Sequence, residues 1–222
     1  MKAKPVNLKA IIFDCDGVIL DSEYLFTQSM INYLTTQNVI VTLEDVKRYI
    51  GIPLDGIINM MIKDFSLRVS YDDIETYFNE TDQVMNYPYK LTPMPGLIDF
   101  VKMAHNKGIT LAIGSSSPAD YVNTIIENFG IKKYFSLVLT ISEVPNGKPA
   151  PDIYNAITAK LGLNKDSTVI IEDSATGIKA GKAAGIYTIG YKGSKIEQNT
   201  SNADISAFSY KEITEILKLE EN

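Results

Sequence analysis

Two aspartates one residue apart, Asp14-Cys15-Asp16, are followed by Gly17 and Val18. In an extended segment alternate side chains share a face, so Asp14 and Asp16 point the same way and Cys15 points away. Like charges held that close repel unless a cation or a proton intervenes. One carboxylate can then serve as an ionised nucleophile or metal ligand, the other as a general acid. An isolated Asp-x-Asp can equally be an ordinary acidic loop. Cys15 reads as a small buried apolar side chain, not as a nucleophile.

Three further groups have the right chemistry to join this pair. Ser115, Ser116 and Ser117 follow the apolar run ending at Ile113. Hydroxyls and backbone amides at a strand-to-helix turn suit a phosphoryl oxygen. Ser115 and Ser116 are the candidate phosphate contacts, while Ser117, before Pro118, reads as a helix cap. Lys148 lies in Gly147-Lys148-Pro149-Ala150-Pro151, a stiff loop that can aim an ammonium at a carboxylate and a phosphate. Elsewhere a lone lysine is usually a solvated charge. Glu172 and Asp173 directly follow the apolar run Thr168–Ile171. With Asp14 and a backbone carbonyl they can hold magnesium, which favours oxygen ligands. A helix N-terminal acid facing the dipole explains one of them more comfortably than both.

The elements that must position these residues are legible as a rhythm. Apolar runs at Ala10–Phe13, Ile109–Ile113, Leu137–Ile141, Thr168–Ile171 and Tyr187–Gly190 lack polar alternation, as strands buried on both faces do. Helical patterns lie between them, at Leu97–Asn106, Ala119–Phe129, Asp152–Leu161 and Gly177–Ala184, with Gly108, Gly130, Gly162 and Gly185 placed as C-terminal caps. Gly177, Gly181 and Gly185 also read as positions of close helix packing. The expected fold is α/β: a doubly wound, mainly parallel Rossmann-like sheet. The interval between the first two strands is too long for one crossover. Its helical patterns, Tyr24–Thr35, Leu43–Tyr49, Leu54–Lys63 and Tyr71–Met85, predict an inserted all-helical cap over residues 21–87. Residues 1–20 and 88–222 then form the core, with Pro88, Pro93, Pro95 and Gly96 in the return linker. Such an insertion is placed to act as a lid over the sheet's C-terminal edge.

Composition narrows the choice. With 21 Lys plus Arg against 27 Asp plus Glu, the net charge is -6, which disfavours nucleic-acid backbones. One cysteine excludes an internal disulfide, and one histidine, His105, excludes His-rich metal sites. His105 sits near a helix end and reads as a surface residue. No run approaches a membrane span, and Asp14 and Asp16 interrupt the only leader-like stretch. A soluble, cytoplasmic protein is expected.

Taken in order, these residues resemble the haloacid dehalogenase superfamily of phosphotransferases. The segment Asp14-Cys15-Asp16-Gly17-Val18-Ile19-Leu20-Asp21-Ser22-Glu23 is similar to the first motif, Ser115 to the second, Lys148 to the third and Glu172-Asp173 to the fourth. The insertion resembles the subgroup with a helical cap after the first motif, which includes β-phosphoglucomutase and small sugar-phosphate phosphatases. The resemblance implies that Asp14 attacks phosphorus and that Asp16 protonates the leaving oxygen and then activates water. It implies a magnesium ion held by Asp14, the Asp16 carbonyl and Asp173, with Glu172 helping. Ser115 and Lys148 would bind the phosphoryl group. Asp16 argues against true haloacid dehalogenases, which lack that acid.

Where the mutase pattern has a histidine, this chain has Phe26. Ile50, Gly51 and Leu54 stand where it has lysine, glycine and arginine. The expectation is therefore a magnesium-dependent phosphatase of a small phosphorylated metabolite, with a phosphosugar mutase as the alternative. A receiver domain, which also phosphorylates an aspartate, would not explain the insertion. A monomer is expected, with Tyr24, Ile52, Met60 and Met61 among candidate cap contacts to substrate.

Overall fold

The computed structural model describes residues 2–50, 52–81, 91–196 and 198–220. The strands are β1 (Ala10–Phe13), β2 (Thr110–Ser115), β3 (Phe135–Thr140), β4 (Thr168–Glu172) and β5 (Tyr187–Tyr191), largely apolar, and the short β6 (Ile205–Ala207). They make one sheet in the order β3-β2-β1-β4-β5-β6. All the pairings are parallel. β1, β4 and β5 are buried at every residue, as continuous apolar runs predict. The fold is thus the expected α/β, Rossmann-like one.

Chain direction away from β1 reverses between its two neighbours, β2 on one side and β4 on the other. Open α/β sheets bind ligands at such a switch point, beyond the carboxyl ends of the strands. The register sets Phe13 beside both Ile113 and Ile171. Asp14 therefore emerges level with Gly114 and Glu172, and Ser115 and Asp173 lie one residue further along the same edge.

Four helices serve the sheet crossovers or flank them: α5 (Leu97–Asn106), α6 (Ala119–Asn128), α7 (Asp152–Lys160) and α8 (Ala175–Ala183). Gly108, Gly130, Gly162 and Gly185 follow them with left-handed φ, as caps should. A Cβ on Gly181 would lie 2.6 Å from Thr188 Oγ1, so this glycine does allow α8 to approach β5. Gly185 has nothing within 4 Å and acts as a cap only, not as the packing residue the sequence pattern suggests. The core's apolar cluster joins Ile12, Ala112, Leu139 and Ile170 from four strands to Ile153, Tyr154 and Ile157 of α7 and Ala180 of α8. Burial of one such side chain contributes about 1.5–3 kcal/mol. A last helix, α9 (Tyr210–Leu217), is capped by Ser209, and its buried Tyr210 donates to the Val18 carbonyl at 2.8 Å.

The described chain divides into two compact units, Met1–Asp21 with Thr92–Asn222, and Ser22–Leu91. The second unit holds α1 (Ser22–Thr36), α2 (Leu43–Val46), α3 (Leu54–Asp64) and α4 (Tyr71–Thr81). The pattern at Leu43–Tyr49 resolves into α2 and a separate 3-10 turn, Lys47–Tyr49. The predicted end of the fourth helix at Met85, Pro88 of the linker and Gly51 lie outside the described residues. This unit has its own apolar core, built on Met30, Tyr33, Leu34, Tyr49, Ile57, Met61, Ile74 and Phe78. Phe26 and Leu54 pack against that core. Met61 is fully buried inside it, which removes it from the candidate substrate contacts.

Candidate active site

At the carboxyl edge of β1 the backbone turns sharply. The Cys15 carbonyl accepts from Ile19 N–H at 2.7 Å, and Gly17 N–H donates to the Leu20 carbonyl at 2.7 Å. Gly17 has φ +72, and a Cβ there would meet Asp173 Oδ2 at 1.8 Å. Glycine is required twice over, by the left-handed turn and by the neighbouring carboxylate. Cys15 is completely buried, and burial pushes its thiol well above the ordinary value, so it offers no thiolate.

Asp14, Lys148, Glu172 and Asp173 come together there. Lys148 Nζ lies 2.6 Å from Asp14 Oδ1 and 2.7 Å from Glu172 Oε1. The loop carrying it has a cis Lys148–Pro149 bond. Asp14, Glu172 and Asp173 are all buried, and one oxygen from each lies within 4.8 Å of the other two. Burial drives Asp14 upward; Glu172 and Asp16 add to this, Lys148 opposes it, and the result is about 8. Burial works against the Lys148 ammonium, but Asp14 and Glu172 outweigh it and hold the lysine well above its usual value.

Glu172 differs from the other acids in how fully it is engaged. Its Oε1 accepts from Lys148 Nζ and, at 3.2 Å, from the Tyr154 hydroxyl. Its Oε2 accepts from the Ser174 N–H at 2.9 Å and from Ser174 Oγ at 3.0 Å. Ser174 also caps α8, accepting from Gly177 N–H at 3.0 Å. A Cβ on Gly177 would sit 1.5 Å from Glu172 Oε1. Both carboxylate oxygens are thus committed to the protein, and the ring of Tyr154 also lies 5.2 Å from Lys148 Nζ. Glu172 holds the lysine from one side, and Asp14 accepts from it on the other.

Ser115 is buried at the end of β2, its Oγ accepting from Ser117 N–H at 3.0 Å. Ser116 is exposed. Ser117 does not cap α6: Pro118 stands at the cap position without a side-chain bond. Its hydroxyl donates instead to Asp16 Oδ2 at 2.5 Å, while the Tyr121 hydroxyl lies 3.3 Å from Asp16 Oδ1. The sequence pattern contains no signal for Tyr121 or Tyr154. Their spacing to Ser117 and Lys148 becomes meaningful only once the helices are placed. His105 is exposed near the end of α5, beside the Tyr134 ring, remote in chemistry from these groups.

The donor set suits a hard divalent cation. It is all oxygen and buried, with three carboxylates close to one another and two of them on one ammonium. Among the described residues no helix is long and apolar enough to cross a membrane.

Comparison with known proteins places this geometry in a family. The model of haloacid dehalogenase-like hydrolases matches residues 11–191, which contain all four groups. The "Phosphorylated carbohydrates phosphatase" of Thermotoga maritima is 26% identical over 182 residues, covering 82% of this chain and 84% of that protein. The "Fructose-1-phosphate phosphatase YqaB" of Escherichia coli is 26% identical over 183 residues, covering 81% and 94%. A haloacid dehalogenase family hydrolase from Deinococcus radiodurans, solved with phosphate and sodium, superposes with a TM-score of 0.81 at 23% identity, covering 96% of each chain. The chain belongs to the haloacid dehalogenase-like hydrolases.

Proposed function

We propose that this hydrolase is a magnesium-dependent phosphatase that cleaves a small phosphorylated metabolite, a sugar phosphate or similar phosphomonoester, through an aspartyl-phosphate on Asp14. The observation that carries the reading is Lys148, buried between Asp14 and Glu172, with Asp173 beside them. A structural ion pair needs one carboxylate per ammonium. Two buried carboxylates on one lysine, with a third beside them, leave an excess of negative charge that a proton on Asp14 or a divalent cation would offset. The matched relatives are named as phosphatases of phosphorylated carbohydrates and of fructose 1-phosphate, which supports a phosphomonoester as substrate.

In this mechanism a carboxylate oxygen of Asp14 forms the new bond to phosphorus as the bond to the leaving oxygen breaks. Asp16 delivers its proton to that oxygen. Asp16 then takes a proton from water, the water oxygen bonds to phosphorus, and the bond to Asp14 breaks, releasing phosphate. Lys148 and Ser115 steady the phosphoryl oxygens, and Glu172 and Tyr154 hold Lys148 in place. Asp14, Asp173 and the Asp16 carbonyl would hold magnesium. When bound, the ion supplies positive charge against the crowded carboxylates and the transferring group.

Phe26 and Leu54, standing where the mutase pattern has histidine and arginine, are spent on the apolar core of the helical unit, which favours hydrolysis over transfer between two sugar positions. The test is release of phosphate from p-nitrophenyl phosphate and from a panel of sugar phosphates with magnesium. Activity that persists in EDTA, or no hydrolysis of any phosphomonoester, contradicts the proposal.

A further inference from the structure

Asp16 is held by two hydroxyls from one helix start. Ser117 Oγ is 2.5 Å from Oδ2, and the Tyr121 hydroxyl is 3.3 Å from Oδ1. Ser117 lies two residues before α6 and Tyr121 in its first turn, so one helix entry supplies both hydroxyls. Ser117 is itself fixed, since its N–H donates to the buried Ser115 Oγ at 3.0 Å. A chain of contacts therefore runs from the serine at the end of β2 through Ser117 to Asp16.

An aspartate side chain has two free torsions, and Asp16 is only half-buried, so packing does not set them. A donor on one oxygen would leave the carboxyl plane free to rotate about that bond. Donors on both oxygens fix the plane. Neither hydroxyl is consumed by helix capping: α6 starts at Ala119, with Pro118 at the cap position and no side-chain cap.

We infer that Ser117 and Tyr121 are positioning residues that set the orientation of Asp16 for proton transfer to the leaving oxygen and from the attacking water. The inference rests on the phosphatase reading above. It assigns the serine beside the phosphate-binding Ser115 to the acid-base residue rather than to substrate. A pair that acts through a general acid has a particular signature. It matters where the leaving group needs a proton and hardly at all where the leaving group departs as a stable anion.

The experiment compares wild type with Ser117→Ala, Tyr121→Phe, the double variant and Ser117→Thr, on p-nitrophenyl phosphate and benzyl phosphate with magnesium. kcat/KM reports the steps through phosphorylation of the enzyme. General acid–base help is worth about 10²–10⁴-fold, of which orientation is a part. The expected result is a fall in kcat/KM of about tenfold or more for benzyl phosphate in the double variant. For p-nitrophenyl phosphate the fall is under about threefold, because its leaving group needs no proton. Ser117→Thr, which keeps the hydroxyl, restores the wild-type ratio. The ratio of the two substrates in one sample does not depend on how much of a variant is folded. Equal losses on both substrates, or a raised KM with unchanged kcat, overturn the inference while leaving the phosphatase reading in place. Wild-type protein inert toward both substrates overturns the parent reading and this one with it.

Discussion

Lys148 Nζ and Asp14 Oδ1 stand 2.6 Å apart although 134 positions separate them in the chain. Asp14 leaves the end of the central strand, and Lys148 arrives on the loop after β3, so the contact exists only when the sheet is assembled. Glu172, from the neighbouring strand, holds the other side of the same ammonium.

That arrangement predicts the cost of removing the lysine. Lys148→Met leaves buried carboxylates facing one another without their cation. Breaking such a buried pair costs about 3–5 kcal/mol. Adding Glu172→Gln removes one of the stranded charges. The double variant should recover a substantial part of the lost stability, yet neither variant should turn over substrate. Urea unfolding at neutral pH in EDTA, paired with a phosphatase assay, checks both halves. Additive losses would show that the two side chains do not interact.

A second expectation concerns protons. Asp14 has an ordinary value of 3.8 and is pushed up to about 8 in the folded protein, chiefly by burial. A raised folded value means that the folded state binds the extra proton between those limits. The contribution to stability is therefore fully present below about pH 4 and is lost as pH rises through 8, at no more than about 1.4 kcal/mol per pH unit. Magnesium takes the ionised carboxylate, so its binding should release a proton below pH 8. The rise in melting temperature on adding magnesium should grow between pH 6 and 8. Melting curves in magnesium and in EDTA across that range, with a proton-release titration, measure it. A magnesium effect independent of pH would contradict this account of Asp14.

Gly17 offers a third test. Alanine there must accept a left-handed backbone, which costs about 1–2 kcal/mol, and its Cβ would displace Asp173. Gly17→Ala should lower stability by at least that amount and weaken magnesium binding, read by calorimetric titration. Gly108→Ala is the control. It has φ +73 but nothing within 4 Å, so it should show the backbone cost alone, with magnesium affinity unchanged.

What the sequence made legible follows from how local each signal is. β1, α5 and the four glycine caps are written in runs of neighbouring residues, and their expected and observed positions agree closely. β6 and α9 escaped a pattern reading. β6 is a three-residue strand with exposed Ile205 and Ser206, too short and too polar to show a period. Ser117-Pro118 carries a helix-start signature, and nothing nearby points to Asp16, 101 residues away. Tyr154 looks like one more apolar residue on the buried face of α7, and only the placement of β4 beside it reveals the hydroxyl contact with Glu172. Chemistry-bearing residues at strand ends were visible because a sheet gathers strand ends. The residues that support them sit on helices whose faces only the tertiary structure defines.

The most direct test of the account is to trap the covalent intermediate. Wild-type protein is mixed with substrate and magnesium, quenched in acid within one turnover and reduced with borohydride, and the modified peptide is located by mass spectrometry. The account predicts a modification at Asp14 that is absent from Asp14→Asn, a variant that should fold as wild type but lose at least about 10³-fold in kcat. Modification at another residue, or Asp14→Asn turning over at the normal rate, would contradict it.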